Sequence, residues 1–103
     1  MGFSKFYAHT IQQNRTAKLF KALGHPARIA IMEYISKHPN ATCQDIVSEM
    51  ELAQATISQH LCELRKAGFI KGKTYGKKIM YTINIDNWYE THQVANTFFR
   101  NTQ

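Results

Sequence analysis

A run of short hydrogen-bonding side chains lies between residues 54 and 60. In the same stretch Ile57, Leu61 and Leu64 recur at helical spacing, so one face of a helix over 54–67 would be apolar. The polar residues off this stripe are Gln54, Thr56, Ser58, Gln59 and His60. On an exposed helix face, side chains of these types suit the recognition of base edges in a DNA major groove. The sequence therefore predicts that this helix contacts DNA, and it leaves open which of the five touch bases.

Cationic side chains extend this pattern beyond the helix. Residues 54–80 hold six Lys or Arg residues and one Glu, a net charge of +5 out of +6 for the whole chain. Such a distribution indicates an anionic partner that contacts one part of the molecule. The further residues that we expect to contact DNA are Arg65, Lys73, Tyr75, Lys77 and Lys78. The alternative is a lysine-rich hairpin that only keeps a sheet edge from aggregating.

Five helices and one hairpin are predicted to hold these residues in place. Apolar residues at helical spacing predict helices over residues 4–23, 26–37, 43–50, 54–67 and 86–100. Apolar and polar residues alternate over 78–83, which predicts a hairpin of strands 69–75 and 78–83 with its turn at Gly76.

Capping residues indicate where these helices begin and end. Asp86 is a suitable N-cap for the last helix, and Gly24 should end the first helix in a left-handed conformation. Thr42 and Asp45 resemble a capping box in which Asp replaces the usual Glu. Ala53 is a poor cap, so the helix after it should begin with open N–H groups that water or a DNA phosphate can bind.

Two segments are distinctive when taken together: LFKALGHPARI at 19–29 and ISQHLCELRKAGFI at 57–70. In combination they closely resemble the ArsR family of bacterial winged-helix repressors, over about residues 17–85. The resemblance implies a mainly α fold with a β-hairpin, the winged helix-turn-helix, and a homodimer formed by the first and last helices. It also implies repression by operator binding, often relieved when an inducer binds.

Apolar residues near both ends of the chain support a dimer independently of the resemblance. A last helix with several aromatic residues is too apolar for the rim of so small a monomer, and a two-fold axis would bury it against its copy. The predicted dimer-interface residues are Phe3, Phe6, Tyr7, Ile11, Trp88, Thr91, Val94, Ala95, Phe98 and Phe99. The alternative is that they close the core of the monomer.

The whole chain, residues 1–103, is predicted to be a single winged-helix DNA-binding domain. Within it, residues 1–23 and 86–103 would form the dimer, and residues 42–83 would form the helix-turn-helix and wing. The expected partners are double-stranded DNA with a palindromic operator and a second copy of the chain. Because no apolar run is long enough to span a membrane, we expect a cytoplasmic protein without a membrane partner.

Neither a metal site nor a cofactor is predicted. The family's thiolate site needs a Cys-x-Cys pair, but Thr42 and Gln44 occupy these positions around Cys43. Its site on the last helix needs a histidine where Trp88 stands. Cys43 and Cys62 are left with either a structural or a redox role. Cys62 lies in the apolar stripe, where a thiol packs as a core residue. Cys43 lies at a helix start, where the pKa of a thiol can be lowered and its reactivity increased.

Catalysis is not expected, because the sequence has no glycine-rich phosphate loop, serine elbow or His-Glu-x-x-His run. Two alternatives to a dimeric repressor stay open. One is a protein-interaction module that uses the basic wing, and the other is a winged-helix protein that binds RNA. The polar face of the helix over 54–67 favours the DNA-binding hypothesis.

Overall fold

Five helices and three short strands make up residues 9–103, the part of the chain that the computed structural model describes. The helices are α1 (Ile11–Leu23), α2 (Pro26–Lys37), α3 (Cys43–Met50), α4 (Gln54–Lys66) and α5 (Ile85–Asn101). The strands are β1 (Ala41–Thr42), β2 (Ile70–Tyr75) and β3 (Lys78–Ile83). A helix-turn-helix, α3 and α4, is followed by the β2–β3 hairpin, so the predicted mainly α winged helix-turn-helix is confirmed. No helix in this range is long and apolar enough to cross a bilayer.

The strands form one antiparallel sheet in the order β1-β3-β2. In the hairpin Ile70 lies opposite Ile83, and Gly76 in the turn has a φ of 61°, a conformation that favours glycine. β1 joins the sheet because Ala41 pairs with Tyr81 of β3. The prediction of only two strands missed β1, since two residues are too few to show an alternation.

The core lies where α2, α3 and α4 meet the sheet. The periods of helix and strand direct the apolar residues of these elements to one side. The fully buried large side chains are Ile31, Ile35, Ile46, Ile57, Leu61, Leu64 and Ile70. Each contributes roughly 1.5–3 kcal/mol relative to exposure in water. Three of them belong to α4, so burial fixes which face of that helix remains in solvent.

The start of α1 differs from the prediction. Thr10 is its N-cap and forms a capping box with Gln13, so the helix begins at Ile11. A continuous helix over 4–23 is therefore wrong at residues 9 and 10, where a capping residue competes with the helix for backbone N–H groups. The remaining predicted residues, 4–8, lie outside the described region.

Two other helix ends also correct the prediction. Gly24 ends α1 with a φ of −80°, so the left-handed conformation predicted for it is wrong. The N-cap of α5 is Asn84, whose side chain accepts a hydrogen bond from the N–H of Asn87, and Asp86 lies inside the first turn instead. The capping box of Thr42 and Asp45 at the start of α3 is confirmed.

The end of α4 is tied to the start of α5. Gly68 has a φ of 83°, and the N–H of Phe69 donates to the carbonyl of Leu64 at 3.0 Å, as in a Schellman motif. The side-chain amide of Asn87 donates to the carbonyl of Gly68 at 2.7 Å. This junction therefore links the end of α4 directly to the start of α5.

Candidate nucleic-acid interface

One polar face of α4 is exposed to solvent. Ile57, Leu61 and Leu64 are buried on its opposite side. The chain enters α4 through Glu51, which adopts a left-handed φ of 53° and ends α3. The predicted contact residues that this arrangement leaves exposed are Gln54, Thr56, Ser58 and Gln59.

The first turn of α4 has no side-chain cap, as the sequence predicted. Ala53 stands at the N-cap position and makes no such hydrogen bond. The contrast with α3 is clear, because there the Thr42 N–H donates to the Asp45 carboxylate at 3.0 Å. Hydrogen bonds from Thr42 hold the pKa of Asp45 below its ordinary value. The start of α4 instead presents the positive end of the helix dipole to solvent. It also presents N–H groups that have no intrahelical acceptor.

Two of the exposed polar side chains already have neighbours. The Ser58 hydroxyl lies 3.6 Å from the Cys43 thiol of α3. The Gln59 amide donates to the Glu63 carboxylate one turn later at 3.2 Å. Among the described residues, Gln54 and Thr56 have no side-chain hydrogen bond in the structure. All four therefore keep hydrogen-bonding capacity for a ligand, since an amide or a hydroxyl bonds more than one partner.

His60 is not on the exposed face, so its predicted role in contacting DNA is wrong on geometry. The residue is only 7% exposed. Its Nδ1 accepts a hydrogen bond of 3.0 Å from Nε of Arg28, and its ring centroid lies 4.5 Å from that of His25. Burial, His25 and Arg28 together lower the pKa of His60, so the neutral imidazole is favoured. The side chain holds α4 against the start of α2.

Sequence reasoning did not assign this anchoring role to Arg28. Its guanidinium bonds two uncharged acceptors. Besides His60, it donates through Nη1 to the carbonyl of Ala22 at 3.0 Å. Nothing in the local pattern identifies His60 as a partner, because it lies 32 residues away in the sequence.

The wing, the β2–β3 hairpin, carries the predicted cations in solvent. Lys73, Lys77 and Lys78 are exposed, and Tyr75 is 61% exposed. The Lys73 ammonium lies 5.9 Å from the centre of the Tyr75 ring, within reach of a cation–π contact. Arg65 at the end of α4 is also exposed.

A cleft of about 460 Å³ separates the start of α4 from the wing. We call it the wing cleft. Gln54 and Ser58 line it from α4, Cys43 from α3, and Lys77 and Lys78 from the hairpin. The fold thus brings two polar side chains of the helix and two wing cations to one concave surface.

The predicted dimer-interface residues fall into three groups. Phe3, Phe6 and Tyr7 lie outside the described residues. Ile11, Phe98 and Phe99 are exposed by 88%, 40% and 54%. The half-buried members are Trp88, Thr91, Val94 and Ala95. Trp88 packs edge-on against Phe69 at 5.5 Å between ring centroids, so this residue closes the monomer core.

Solved structures share this architecture. The transcriptional repressor PagR of Bacillus anthracis is 35% identical, with a TM-score of 0.62 over 70% of this chain and 82% of that one. The crystal structure of M. tuberculosis Rv0081 is 27% identical, with a TM-score of 0.71 over 91% of this chain and 94% of that one. The second alignment covers almost all of both chains.

Sequence comparison agrees with the structural one. The pattern of "Bacterial regulatory protein, arsR family" matches residues 25–71. PagR is 37% identical over 68 residues, which are 66% of this chain and 68% of the repressor. The chain belongs to the ArsR family. It is a DNA-binding transcriptional regulator, and the names of its relatives, a transcriptional repressor and an HTH-type transcriptional regulator, agree with this function. This family consists of regulators rather than enzymes.

The residue types that can bind metal ions are not clustered in the described part of this ArsR-family chain. Within residues 9–103, no three His, Cys, Asp or Glu side chains lie together as a possible metal site. Cys43 and Cys62 are both free thiols and half-buried. Cys43 faces Ser58 at the wing cleft, so it lies beside the exposed face of α4.

Proposed function

We propose that the protein is a dimeric repressor that binds a palindromic operator through α4 and the wing. The wing cleft carries this proposal, because Gln54 and Ser58 lie there beside Lys77 and Lys78. Protein–DNA recognition needs both groups that bond base edges and cations that position the protein on phosphates. The name of PagR, a transcriptional repressor, supports the direction of regulation.

The exposed side chains of α4 suit the major groove. Glutamine can bond an adenine with both the oxygen and the NH2 of its side-chain amide, and serine or threonine can bond several base edges. The proposed residues at this groove are Gln54, Thr56, Ser58 and Gln59. The proposed phosphate and minor-groove contacts are Arg65, Lys73, Tyr75, Lys77 and Lys78. A phosphate at the uncapped start of α4 would satisfy its open N–H groups.

The dimer would form through α1 and α5. Phe20 of α1 contacts Phe98 and Phe99 of α5, with ring centroids 5.7 and 5.9 Å apart. All three are at least 36% exposed, so together they make an apolar patch that a second copy would cover. Two-fold symmetry would then place two α4 helices about one DNA turn, roughly 34 Å, apart.

The domain assignment belongs to the same proposal. Residues 1–103 would act as one winged-helix domain, with 42–83 on DNA and with 1–23 and 86–103 in the dimer. An inducer of unidentified chemistry would release the operator.

Selection of bound fragments from a random DNA pool tests this function. We expect an enriched two-fold palindrome whose half-sites are about one turn apart. The double variant Thr56→Ala and Gln59→Ala should lose the enrichment. Ser36→Ala, a similar loss of polarity at an exposed position of α2, should keep it. A pool without any enriched motif would contradict the proposal and favour a protein-interaction module, and stronger competition by structured RNA would favour an RNA-binding protein.

A further inference from the structure

A second and larger cleft, of about 790 Å³, lies between α1, the start of α2, the end of α4 and α5. We call it the basic cleft. It shares no residue with the wing cleft. The cations that line it are Arg15, Lys18, Lys21, Arg28 and Lys66. Its volume falls within the range of pockets that bind small molecules, roughly 300–1,000 Å³.

The charges of the basic cleft are not balanced. Two carboxylates line it, Glu63 and Glu90. Glu63 lies 3.8 Å from Lys66, and Glu90 lies 4.0 Å from Arg15. Within the described part of the chain, the other three cations have no carboxylate within 4.0 Å. With five cations and two acids the lining carries a net charge of +3, so an anion fits its electrostatics and a cation does not.

Apolar side chains line the same cleft. Leu19 and Ala22 come from α1, and Val94 comes from α5. Inorganic phosphate would leave these groups in contact with water. A ligand that combines an acidic group with an apolar body would satisfy both parts of the lining.

We propose that the basic cleft binds a small organic anion, a carboxylate or sulfonate attached to an apolar body. Its acidic group pairs with Lys18, Lys21 and Arg28, and its apolar body packs on Leu19 and Ala22. This binding step does not depend on the proposed function.

Arg28 connects the basic cleft to the helix that faces DNA. It lines the cleft, and its Nε donates to the buried Nδ1 of His60 in α4 at 3.0 Å. An anion in the cleft competes for the guanidinium and so weakens the contact that anchors α4. Ligand and DNA thereby change each other's affinity by the same factor. This second step rests on the proposed DNA binding through α4.

Binding to the cleft is tested on the full chain without DNA. The probe is 8-anilinonaphthalene-1-sulfonate, an aromatic sulfonate whose fluorescence rises in an apolar site. We expect Lys18→Ala to weaken its binding about fivefold, because an ion pair partly screened by water is lost. Lys37→Ala removes the same charge from an exposed position of α2 outside the cleft and should leave the affinity unchanged.

Competition identifies the chemical class of the ligand. Benzoate should displace the probe, whereas benzamide, which has the same shape without the charge, and acetate, which lacks the ring, should not. Equal probe affinity in wild type, Lys18→Ala and Lys37→Ala overturns the proposal. Displacement by benzamide as effective as by benzoate also overturns it, because the cations would then have no role.

The coupling step is tested with a pair of variants at His60, which does not line the cleft. His60→Leu removes the acceptor of Arg28, whereas His60→Asn places an amide oxygen near the position of Nδ1. His60→Asn should bind the probe as wild type does, and His60→Leu should bind it more tightly, because the acceptor that competes for Arg28 is gone. Benzoate should weaken operator binding by wild type and His60→Asn, and it should have no effect on His60→Leu.

An equal benzoate effect in both His60 variants would overturn the coupling through Arg28 and leave the cleft assignment intact. A wild-type protein that binds no DNA would contradict the proposed function and with it the coupling. The fluorescence titration would still decide whether the basic cleft binds organic anions.

Discussion

The imidazole of His60 is held in its neutral form by the residues around it. Its Nδ1 must be unprotonated to accept the hydrogen bond from Arg28. Burial is the main reason that the pKa of His60 is lowered, and the nearby His25 and Arg28 add to the effect. Protonation would break the hydrogen bond and leave two cationic groups side by side.

The protein should lose stability as the solution becomes acidic. The unfolded chain has a histidine pKa of about 6.5, and the folded value for His60 is lower. Between these two values the unfolded state binds more protons, so the free energy of unfolding falls as pH falls. Urea unfolding from pH 7.5 to 5 measures this slope. His60→Asn should show a smaller slope, and an identical slope in both proteins would contradict the prediction.

Different contact residues should affect DNA binding in different ways. Lys77→Ala should weaken binding to all sequences alike, because a lysine on a phosphate carries no sequence information. Gln59→Ala should change the preference at one operator position by roughly 1–3 kcal/mol if its amide bonds a base. Competition assays with single-base operator variants measure both effects. If Gln59→Ala also weakened binding to all sequences equally, Gln59 would contact the DNA backbone and not a base.

The sequence predicted the exposed face of α4 well and failed at one position. Gln54, Ser58 and Gln59 lie off the apolar stripe and are exposed as expected. His60 lies three residues after Ile57 and is buried with it. Its spacing indicated burial, whereas its polar side chain suggested the surface. The partner that makes its burial favourable, Arg28, comes from another helix, and single-sequence periodicity contains no information on such contacts.

At the scale of elements, the junction at Gly68 sets how α4, the wing and α5 meet. Gly68 has a φ of 83°, which disfavours any residue with a Cβ. A Cβ at this position would also lie 2.9 Å from the side-chain nitrogen of Asn87. This is the amide that bonds the carbonyl of Gly68.

Gly68→Ala should therefore destabilise the fold more than Gly76→Ala. Both positions have a positive φ, but a Cβ at Gly76 would meet nothing within 4 Å. Backbone strain alone costs about 1–2 kcal/mol. The displaced hydrogen bond of Asn87 should add on the order of 1 kcal/mol at Gly68. Urea unfolding of both variants measures the difference. Equal losses of stability would show that Asn87 adjusts without cost.

Element boundaries were predictable where a local cap or breaker sets them. α2 begins at Pro26 and α3 follows the capping box of Thr42, as the sequence indicated. The N-cap of α5 was misplaced by two residues because Asn84 and Asp86 are both good N-caps, and position decides between them. β1 was missed because its pairing partner, Tyr81, lies far along the chain.

At the scale of the whole molecule, polar and apolar functions occupy different surfaces. The wing and the face of α4 carry cations and hydrogen-bonding groups. The exposed ends of α1 and α5 carry the aromatic patch of Phe20, Phe98 and Phe99. This separation allows two copies to join through one surface while both present the other to DNA.

Phe99→Asp should convert the proposed dimer into monomers, because it places a charge in the apolar patch. Tyr89→Asp is the matched control, since Tyr89 is 65% exposed on the same helix and outside the predicted interface. Sedimentation analysis measures the masses of both variants. A dimeric Phe99→Asp protein would contradict the proposed interface.

The dependence of DNA affinity on salt should report the same assembly. If each copy makes about four phosphate contacts, the logarithm of affinity should fall with the logarithm of salt with a slope near −7 for the dimer. The slope for monomeric Phe99→Asp should be about half as steep. A wild-type slope near zero would exclude a phosphate interface.

The N-terminus of α4, which has no side-chain cap, should show distinct hydrogen-exchange behaviour. Ala53 supplies no side-chain acceptor, so the peptide protons of Gln54, Ala55 and Thr56 should exchange rapidly with deuterium in the free protein. Bound duplex would supply the missing acceptor and slow this exchange, while the capped turn of α3 should change little. The nucleic acid would then supply the cap that the sequence lacks, and the N–H groups in the opening turn of α4 would be protected from exchange only in the complex.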